Sequence, residues 1–230
     1  MHTVLIIGAG RMAQHLTYWN SLLNNPNILT YWNRKENSVK ELNQKIKQAS
    51  IVWLAISDSS ISLFFDQYLS NCQISVVHFS GALQDSRIIS AHPLMSFPTD
   101  LMPASVYSQI HFVLTGVTNL QKVLPGFLNS FSLLDEKHKG LYHALCVVAG
   151  NFPQLLWSET LPEFEKLNIP TKAVDIYIQQ ITTNFIELKS RALTGPLIRK
   201  DTTTIAKNLQ SLEKSKLKKI YNSFFEVFGL

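Results

Sequence analysis

Short runs of apolar, often β-branched residues alternate with amphipathic segments through the first half of the chain. Alternation of this kind is typical of βαβ units, in which a helix connects two parallel strands. We therefore expect an α/β fold that begins with a doubly wound, mostly parallel sheet. The apolar runs predict strands at residues 4–7, 28–32, 51–56, 75–79, 88–91, 112–115 and 132–134, and the amphipathic segments predict helices at 11–23, 38–48, 60–69 and 120–128.

The character of the sequence changes at the polar run 135–140, after which strand signals disappear and helical periodicity continues to the end. We place a domain boundary there, with a sheet domain at residues 1–135 and an all-helical domain at 136–230. Further helices are predicted at 162–167, 171–193 and 202–228. A long helix beginning at residue 141 is expected to be largely buried, because apolar residues recur on one face: Leu141, Leu145, Val148, Phe152 and Leu155.

Composition restricts the class of protein without identifying it. Of the 230 residues, 46% are hydrophobic and 16% are charged, which indicates a globular protein and not a disordered one. Cys72 and Cys146 lie far apart and outside any metal-ligand spacing, so neither a disulfide framework nor a metal site is expected. A strand follows the N-terminus without room for a signal peptide, and no apolar run approaches the roughly 18 residues of a membrane span. We expect a cytoplasmic protein with no membrane partner.

The formal net charge of +5 raises the question of an anionic partner. Many lysines fall in the last third of the chain, where helical spacing spreads them along one side of a terminal helix. A solvated helix face explains them, because no aromatic residues alternate with the basic ones as they do on nucleic-acid-binding surfaces. We expect no nucleic-acid partner.

A glycine-rich segment follows the first predicted strand and opens the first predicted helix. Gly8, Gly10 and Ala13 form a G-x-G-x-x-A pattern, with Arg11 and Met12 between them. Gly8 permits a tight turn, Gly10 lets a pyrophosphate approach the backbone, and Ala13 allows the helix to pack closely on the strand. The helix N-terminus then faces the anion. The segment predicts a Rossmann dinucleotide-binding domain.

The end of the second predicted strand indicates which dinucleotide is bound. A site that prefers NAD usually places a carboxylate there, roughly 20 residues after the glycines, to hold the ribose 2′-hydroxyl. This chain has Asn33, Arg34 and Lys35 instead. Asn33 can donate a hydrogen bond to a 2′-phosphate and Arg34 can bind it through two N–H groups. We therefore predict NADP as the cofactor.

The ends of the third and fourth predicted strands carry small polar residues. Ile56 and Ser57 are expected to line the cofactor, while Asp58 is either another neighbour of it or the N-cap of a helix. Ser80 and Gly81 follow the fourth strand, at the edge of the sheet where ligands bind in α/β folds. They are expected either to contact cofactor or substrate or to form a plain turn.

His92 precedes Pro93 in a segment that we interpret as a loop of fixed shape, because the proline ring forces the preceding residue into an extended conformation. A histidine held there either serves catalysis or bonds to the backbone. The residue types leave both interpretations open.

Polar residues interrupt the apolar pattern of the long predicted helix that begins at residue 141. His143 and Asn151 fall on one face of a regular α-helix, and Tyr142, a candidate substrate ligand, lies beside them. A helical histidine with an amide two turns later is able to deliver a proton and orient a carbonyl oxygen. Lys139, one turn earlier, is a further candidate. A simply hydrogen-bonded core histidine is the alternative.

A Gly-Pro break near residue 195 separates two predicted helices and concentrates polar residues. Thr194 and Arg199 are candidate substrate ligands, since a guanidinium group can bind a carboxylate or phosphate through two N–H groups. Arg199 could equally pair with Asp201 or with a neighbouring helix. Either Asp201 or Thr202 is expected to be the N-cap of the next helix.

These motifs, in this order, resemble one family of Rossmann-like proteins with a helical C-terminal domain of unknown function. That family is similar to pyrroline-5-carboxylate reductases, deazaflavin-dependent NADP oxidoreductases and the 6-phosphogluconate and β-hydroxyacid dehydrogenases. The resemblance implies NADP binding in the first domain, a substrate cleft between the domains and a homodimer formed through the C-terminal helices. The β-hydroxyacid relatives use a lysine and an asparagine one turn apart, and here Lys139 is followed at that spacing by His143.

We therefore expect an NADP-dependent oxidoreductase that transfers hydride between the nicotinamide and a small carbonyl, imine or alcohol substrate. In this hypothesis His143 exchanges the proton, Asn151 orients the reacting group, His92 and Ser80 line the cleft, and Arg199 binds a substrate anion. The alternative is a regulatory or scaffold protein that binds NADP without catalysis.

Overall fold

A computed structural model describes residues 2–228, which divide into two compact units, Met1–Gly150 and Asn151–Leu230. The division follows Gly150 and not residue 135, where the sequence placed it. The difference arises because the helix that starts at Lys139 packs onto the sheet of the first unit, where Lys139 binds Ser80 and Ser90.

The described residues of the first unit form one seven-stranded sheet. Its strands are β1 Thr3–Ile7, β2 Ile28–Trp32, β3 Ile51–Leu54, β4 Ser75–His78, β5 Ile89–Pro93, β6 Phe112–Thr115 and β7 Phe131–Leu133. The order across the sheet is β2-β1-β3-β4-β5-β6-β7, and every neighbouring pair is parallel except β5 and β6. The mostly parallel sheet predicted from the sequence is confirmed.

The helices of the first unit connect these strands and cover both faces of the sheet. They are α1 Arg11–Ser21, α2 Val39–Gln48, α3 Asp58–Phe64, α4 Ala104–Tyr107 and α5 Lys139–Cys146. Successive residues of β1 point to opposite faces: Leu5 packs in a core with α2 and α3, and Ile6 packs in a core with α1. Such burial on both faces explains why the central strands β1 and β3 are continuous apolar runs in the sequence.

The strand order places a topological switch point beside β1. β1 pairs with β2 on one side and with β3 on the other. The chain therefore passes from β1 to one side of it, and after β2 it crosses to the other side. In open α/β sheets ligands bind at the carboxyl ends of the strands beside such a switch point.

The second unit is helical, as predicted. Its helices are α6 Phe152–Lys166, α7 Thr171–Leu188, α8 Thr202–Ser211 and α9 Leu217–Phe228. None of the helices within residues 2–228 is both long and apolar enough to span a bilayer.

Three helix predictions are wrong in detail. Residues 120–128 hold only a 3₁₀ turn, Leu120–Lys122, because Pro125 lacks an N–H group and Gly126 adopts a φ of +84°. The segment 162–167 is the end of α6, which continues through Pro162. The predicted helix 202–228 is broken, since the Ser215 hydroxyl accepts a hydrogen bond from the backbone N–H of Leu217 and a new helix starts there.

The long helix predicted from residue 141 is interrupted as well. A π-helical turn, Val147–Asn151, separates α5 from α6. The apolar stripe of this region is not buried as expected: its members are between 49% and 63% exposed. The stripe is Leu141, Leu145, Val148, Phe152 and Leu155, each of which is only partly covered by other described residues.

Candidate functional site

The turn after β1 requires glycine at its first position. Gly8 has a φ of +118°, and a Cβ there would overlap the carbonyl oxygen of Ala55. The N–H of Gly8 donates to the carbonyl of Trp32 at 2.9 Å, and the N–H of Ala55 donates to Ile7 at 2.9 Å. The backbones at the ends of β1, β2 and β3 therefore lie so close together that no side chain fits at position 8.

Gly10 serves a different purpose. It is the N-cap of α1, no side chain caps this helix, and a Cβ on Gly10 would meet nothing within 4 Å. The first N–H groups of an α-helix have no partner inside the helix and attract anions. Open space at Gly10 beside uncapped N–H groups fits the pyrophosphate of a dinucleotide.

Arg11 and Met12 are the first two residues of α1 and have different surroundings. The Arg11 guanidinium is exposed and donates to the carbonyl of Phe97 at 3.3 Å, which holds the segment after β5 close to the helix start. Met12 is half-buried and packs against the core. Arg11 thus remains at the rim of the expected pyrophosphate site.

The turn after β2 contains a carboxylate that the sequence argument did not consider. Asn33 donates through its side-chain amide to the Glu36 carboxylate at 3.0 Å and accepts from the N–H of Lys35 at 3.1 Å. Asn33 and Glu36 line one groove with Gly8, of about 690 Å³. Arg34 is exposed. In this arrangement Arg34 remains available to bind an anion, while the amide of Asn33 is already bound to Glu36.

The residues after β3 and β4 are linked to each other. Ser57 is the N-cap residue of α3, so Asp58 is not the cap. Instead, the Asp58 carboxylate accepts from the Ser80 hydroxyl at 2.5 Å, and that hydroxyl also accepts from the N–H of Leu83 at 3.0 Å. Ile56 packs near Gly8. The expected cofactor neighbours thus lie at the carboxyl ends of adjacent strands.

Two imidazole rings converge on Gly81, in the turn that follows β4. A Cβ at Gly81 would lie 3.0 Å from Nε2 of His92 and 3.2 Å from Cδ2 of His143. His92 stands in β5 and not in a loop, because β5 extends through Pro93. Its Nδ1 is 2.6 Å from the hydroxyl of Tyr142. The structure therefore brings together four residues that the sequence singled out separately: Gly81, His92, Tyr142 and His143.

The imidazole of His92 is neutral at pH 7. Burial, assisted by the positive charge of Lys139 and by His143, lowers the pKa of His92 to about 4. A neutral ring has one N–H donor and one acceptor nitrogen. If the Tyr142 hydroxyl donates to Nδ1, the proton of His92 is on Nε2, which is the atom that faces Gly81.

Lys139, the further candidate one turn before His143, is buried, which the sequence did not indicate. It is 2% exposed, and its ammonium group donates to the Ser90 hydroxyl at 2.6 Å and to the Ser80 carbonyl at 3.3 Å. Burial lowers the pKa of Lys139 to about 8. The polar run around it gave no signal of this burial, since Lys137 in the same run is exposed.

The remaining predicted residues belong to the second unit. Asn151 is exposed at the end of the π-helical turn, and the prediction that it shares a face with His143 assumed a regular α-helix, which a π turn interrupts. Thr194 and Arg199 are exposed. Asp201 caps α8 by accepting from the N–H of Thr204 at 3.0 Å, as one interpretation expected. Among residues 2–228 no three His, Cys, Asp or Glu side chains come together as a metal site.

Known structures share this fold over the whole length of the chain. A provisionally named NADP oxidoreductase from Bacteroides fragilis has a TM-score of 0.78 and 18% identity, covering 99% of this chain and 98% of that one. The pyrroline-5-carboxylate reductase of Streptococcus pyogenes has a TM-score of 0.60 and 19% identity, covering 99% and 96%. The pyrroline carboxylate reductase of Plasmodium falciparum, solved with NADP bound, has a TM-score of 0.59 and 14% identity, covering 98% and 95%.

At these identities the likeness establishes the Rossmann-like fold. A comparison with curated protein sequences gave no match. One family model, described as a domain of unknown function (DUF2520), matches residues 112–226. Because this model covers half of the 230 residues, the chain belongs to the DUF2520 family.

Proposed function

We propose that this protein is an NADP-dependent oxidoreductase that transfers hydride between the nicotinamide and a small carbonyl, imine or alcohol substrate. The observation that carries the proposal is the convergence of His92 and His143 on Gly81, at the same edge of the sheet as the glycine turn after β1. Solved structures with this fold carry reductase names, and one was solved with NADP bound.

The first unit offers a complete set of residues for the dinucleotide. Gly10 and the start of α1 would hold the pyrophosphate, and Ile56, Ser57 and Ser80 would line the path toward the nicotinamide. Arg34, exposed after β2, would bind the 2′-phosphate through charge-assisted hydrogen bonds. Bound there, the reduced nicotinamide supplies the hydride.

The two histidines would supply the proton and the orientation. His92 presents Nε2 toward Gly81 and is held by Tyr142, so its ring can donate a hydrogen bond to a substrate oxygen or nitrogen. His143, beside it, would exchange the proton with the reacting group as general acid or base. Ser80 is tied to Asp58 and would shape the turn that carries Gly81. The roles expected for Asn151, Thr194 and Arg199 remain predictions.

A second copy of the chain is proposed to cover part of the helical unit. In α7, Tyr177, Ile181, Phe185 and Leu188 recur on one helix face and are between 40% and 60% exposed. Contiguous apolar surface of this kind marks interaction sites. We expect sedimentation to give twice the 26.1 kDa of the chain, and Phe185→Glu to give the monomer mass. A monomeric wild-type protein would contradict this part of the proposal.

Binding is the first test of the cofactor. We expect calorimetric titration to give tighter binding of NADPH than of NADH. Arg34→Ala should weaken NADPH binding by about tenfold or more while leaving NADH unchanged, because a hydrogen bond to a charged group contributes roughly 1.5–3 kcal/mol. Lys35→Ala is the matched control. If neither dinucleotide binds, both the oxidoreductase and the non-catalytic alternative are wrong.

Turnover then separates the enzyme from a regulatory protein. NADPH is incubated with a panel of small aldehydes, ketones and cyclic imines, and the loss of its absorbance is followed. Substrate-dependent loss that is abolished in His143→Ala supports the proposed role of His143. Tight NADPH binding without turnover across the panel favours the non-catalytic protein.

A further inference from the structure

Lys139 is a buried cation that makes no ion pair within residues 2–228. Only 2% of the residue is exposed. Two of its three N–H donors bind uncharged oxygens, the Ser90 hydroxyl and the Ser80 carbonyl. Burying a charge without an opposite charge is unfavourable, so a structural role alone would be better served by an apolar or neutral side chain.

Lys139 is also buried within a polar run, where lysine side chains are normally solvated. Lys137, two residues earlier, is solvated and pairs with Asp135 at 2.9 Å, as a lysine in a polar run normally does. Residues that break several local rules at once are expected at functional sites.

The hydrogen-bond partners of Lys139 lie in the segments that position His92 and His143. The Ser80 carbonyl directly precedes Gly81, on which both rings converge. Ser90 and His92 are alternate residues of β5 and therefore point to the same side of the sheet. Lys139 itself lies one turn before His143 in α5. One ammonium group thus joins β4, β5 and α5 at the point where their side chains meet.

The charge of Lys139 also acts on the rings. The groups that face His92 are Lys139, His143 and Tyr142 from α5, Asp58 from α3, and His78 at the end of β4, whose own pKa burial lowers to about 3. After burial, Lys139 has the largest influence in lowering the pKa of His92, and Asp58 opposes it. The charges that face Lys139 are the carboxylates of Glu136 and Asp58, which partly offset its burial.

We infer that Lys139 is a positioning residue: its ammonium group fixes the β4 turn against β5, which holds His92 and His143 over Gly81. It does this from within the protein and does not contact the substrate. The importance of Lys139 for catalysis rests on the proposed function. Its effect on the pKa of His92 does not, because that effect exists without any ligand.

Nuclear magnetic resonance of the histidine rings tests the inference directly. We expect the pKa of His92, about 4 in the wild type, to rise to about 5 in Lys139→Met, because a nearby charge changes a pKa by roughly one or more. Lys137→Met removes an exposed charge from the same run and should leave the pKa of His92 unchanged. A folded Lys139→Met variant with an unchanged His92 pKa would overturn the inference.

The wild type gives a second test that needs no variant and so survives a failure of Lys139→Met to fold. When Lys139 loses its proton near pH 8, the ring resonances of the neutral His92 should shift with the same midpoint. Absence of this second inflection would contradict the coupling between the two groups.

Ligand binding separates this inference from the proposed function. Adenosine 2′,5′-bisphosphate tests the adenosine half alone, and NADPH tests both halves. Lys139→Met should bind adenosine 2′,5′-bisphosphate as the wild type does and NADPH about tenfold more weakly, because only the nicotinamide end lies near the displaced rings. Equal NADPH affinity would count against a positioning role, whereas failure of the wild type to bind either ligand would refute the proposed function and leave the titration test intact.

Discussion

Alanine substitutions at the two glycines of the turn after β1 should have different effects, one on stability and the other on NADPH binding. Gly8→Ala forces an L residue to a φ of +118° and places its Cβ against the backbone of Ala55. The Ala55 carbonyl cannot move freely, since the adjacent N–H is bonded to Ile7 in the sheet. Strain in this region is of order 1–3 kcal/mol before the overlap is counted, so we expect a loss of about 3 kcal/mol or more in the free energy of unfolding.

Gly10→Ala is the matched control. Its Cβ meets nothing within 4 Å, and its φ of −81° suits any residue. Replacing an N-cap glycine by alanine costs up to about 1 kcal/mol, partly offset by the reduced entropy of the unfolded chain. The stability of Gly10→Ala should therefore stay within about 1 kcal/mol of the wild type. Its methyl group stands where the pyrophosphate would approach, so NADPH binding should weaken by roughly a hundredfold, equivalent to about 2.7 kcal/mol.

Thermal unfolding followed by circular dichroism and calorimetric titration with NADPH measure the two effects separately. For a chain of this length, a loss of about 3 kcal/mol lowers the melting temperature by roughly 10 °C. A Gly8→Ala protein that melts with the wild type would refute the backbone argument. A Gly10→Ala protein that binds NADPH normally would show that the pyrophosphate is not bound at this turn.

Three further predictions concern charge and buried polar groups. Glu36→Gln should strengthen NADPH binding several-fold without affecting NADH, because it removes a carboxylate from the turn expected to hold the 2′-phosphate; equal changes for both cofactors in the same titrations would disprove this. The Arg87 guanidinium lowers the pKa of Asp85 to about 2, so this carboxylate stabilises the fold above its ordinary pKa and the stabilisation disappears as pH falls from about 4 to 2. Denaturant unfolding across that range should be less dependent on pH in Asp85→Asn, and an identical dependence would contradict the assignment. Asn20→Ala should lower the free energy of unfolding by about 3 kcal/mol, because the buried backbone N–H and carbonyl of Asn27 lose their partner and its side-chain amide keeps only the Pro125 carbonyl. Chemical denaturation measures the loss, and a loss below about 1 kcal/mol would argue against this network.

The sheet could be predicted because its signal is local. A strand buried on both faces must be a short apolar run, and the runs around Leu5, Val52 and Val77 are of this kind. Helix ends were harder to predict because they depend on single capping bonds. The break between α8 and α9 follows from the Ser215 hydroxyl, whose bond to Leu217 competes with helix continuation in a segment of good helix formers.

The candidate site was predicted only in part for a similar reason. The glycine turn and the identity of His92 and His143 can be read from residue type and order. The carboxylate of Glu36 and the burial of Lys139 are tertiary facts, since Glu36 acts through a turn that folds back on Asn33 and Lys139 is indistinguishable in sequence from the solvated Lys137. The expected burial of the apolar stripe beginning at Leu141 failed because periodicity shows which residues share a face and not what covers that face.

The central place of β1 in the sheet also bears on how the chain is made. β1 precedes both of its partners in the sequence, yet its residues Val4, Leu5 and Ile6 are fully buried between β2 and β3. During synthesis these apolar residues can find their final neighbours only after Ile51–Leu54 has left the ribosome. The nascent chain therefore carries this apolar segment without its sheet partners until then, and a chaperone would be expected to bind β1 during that interval.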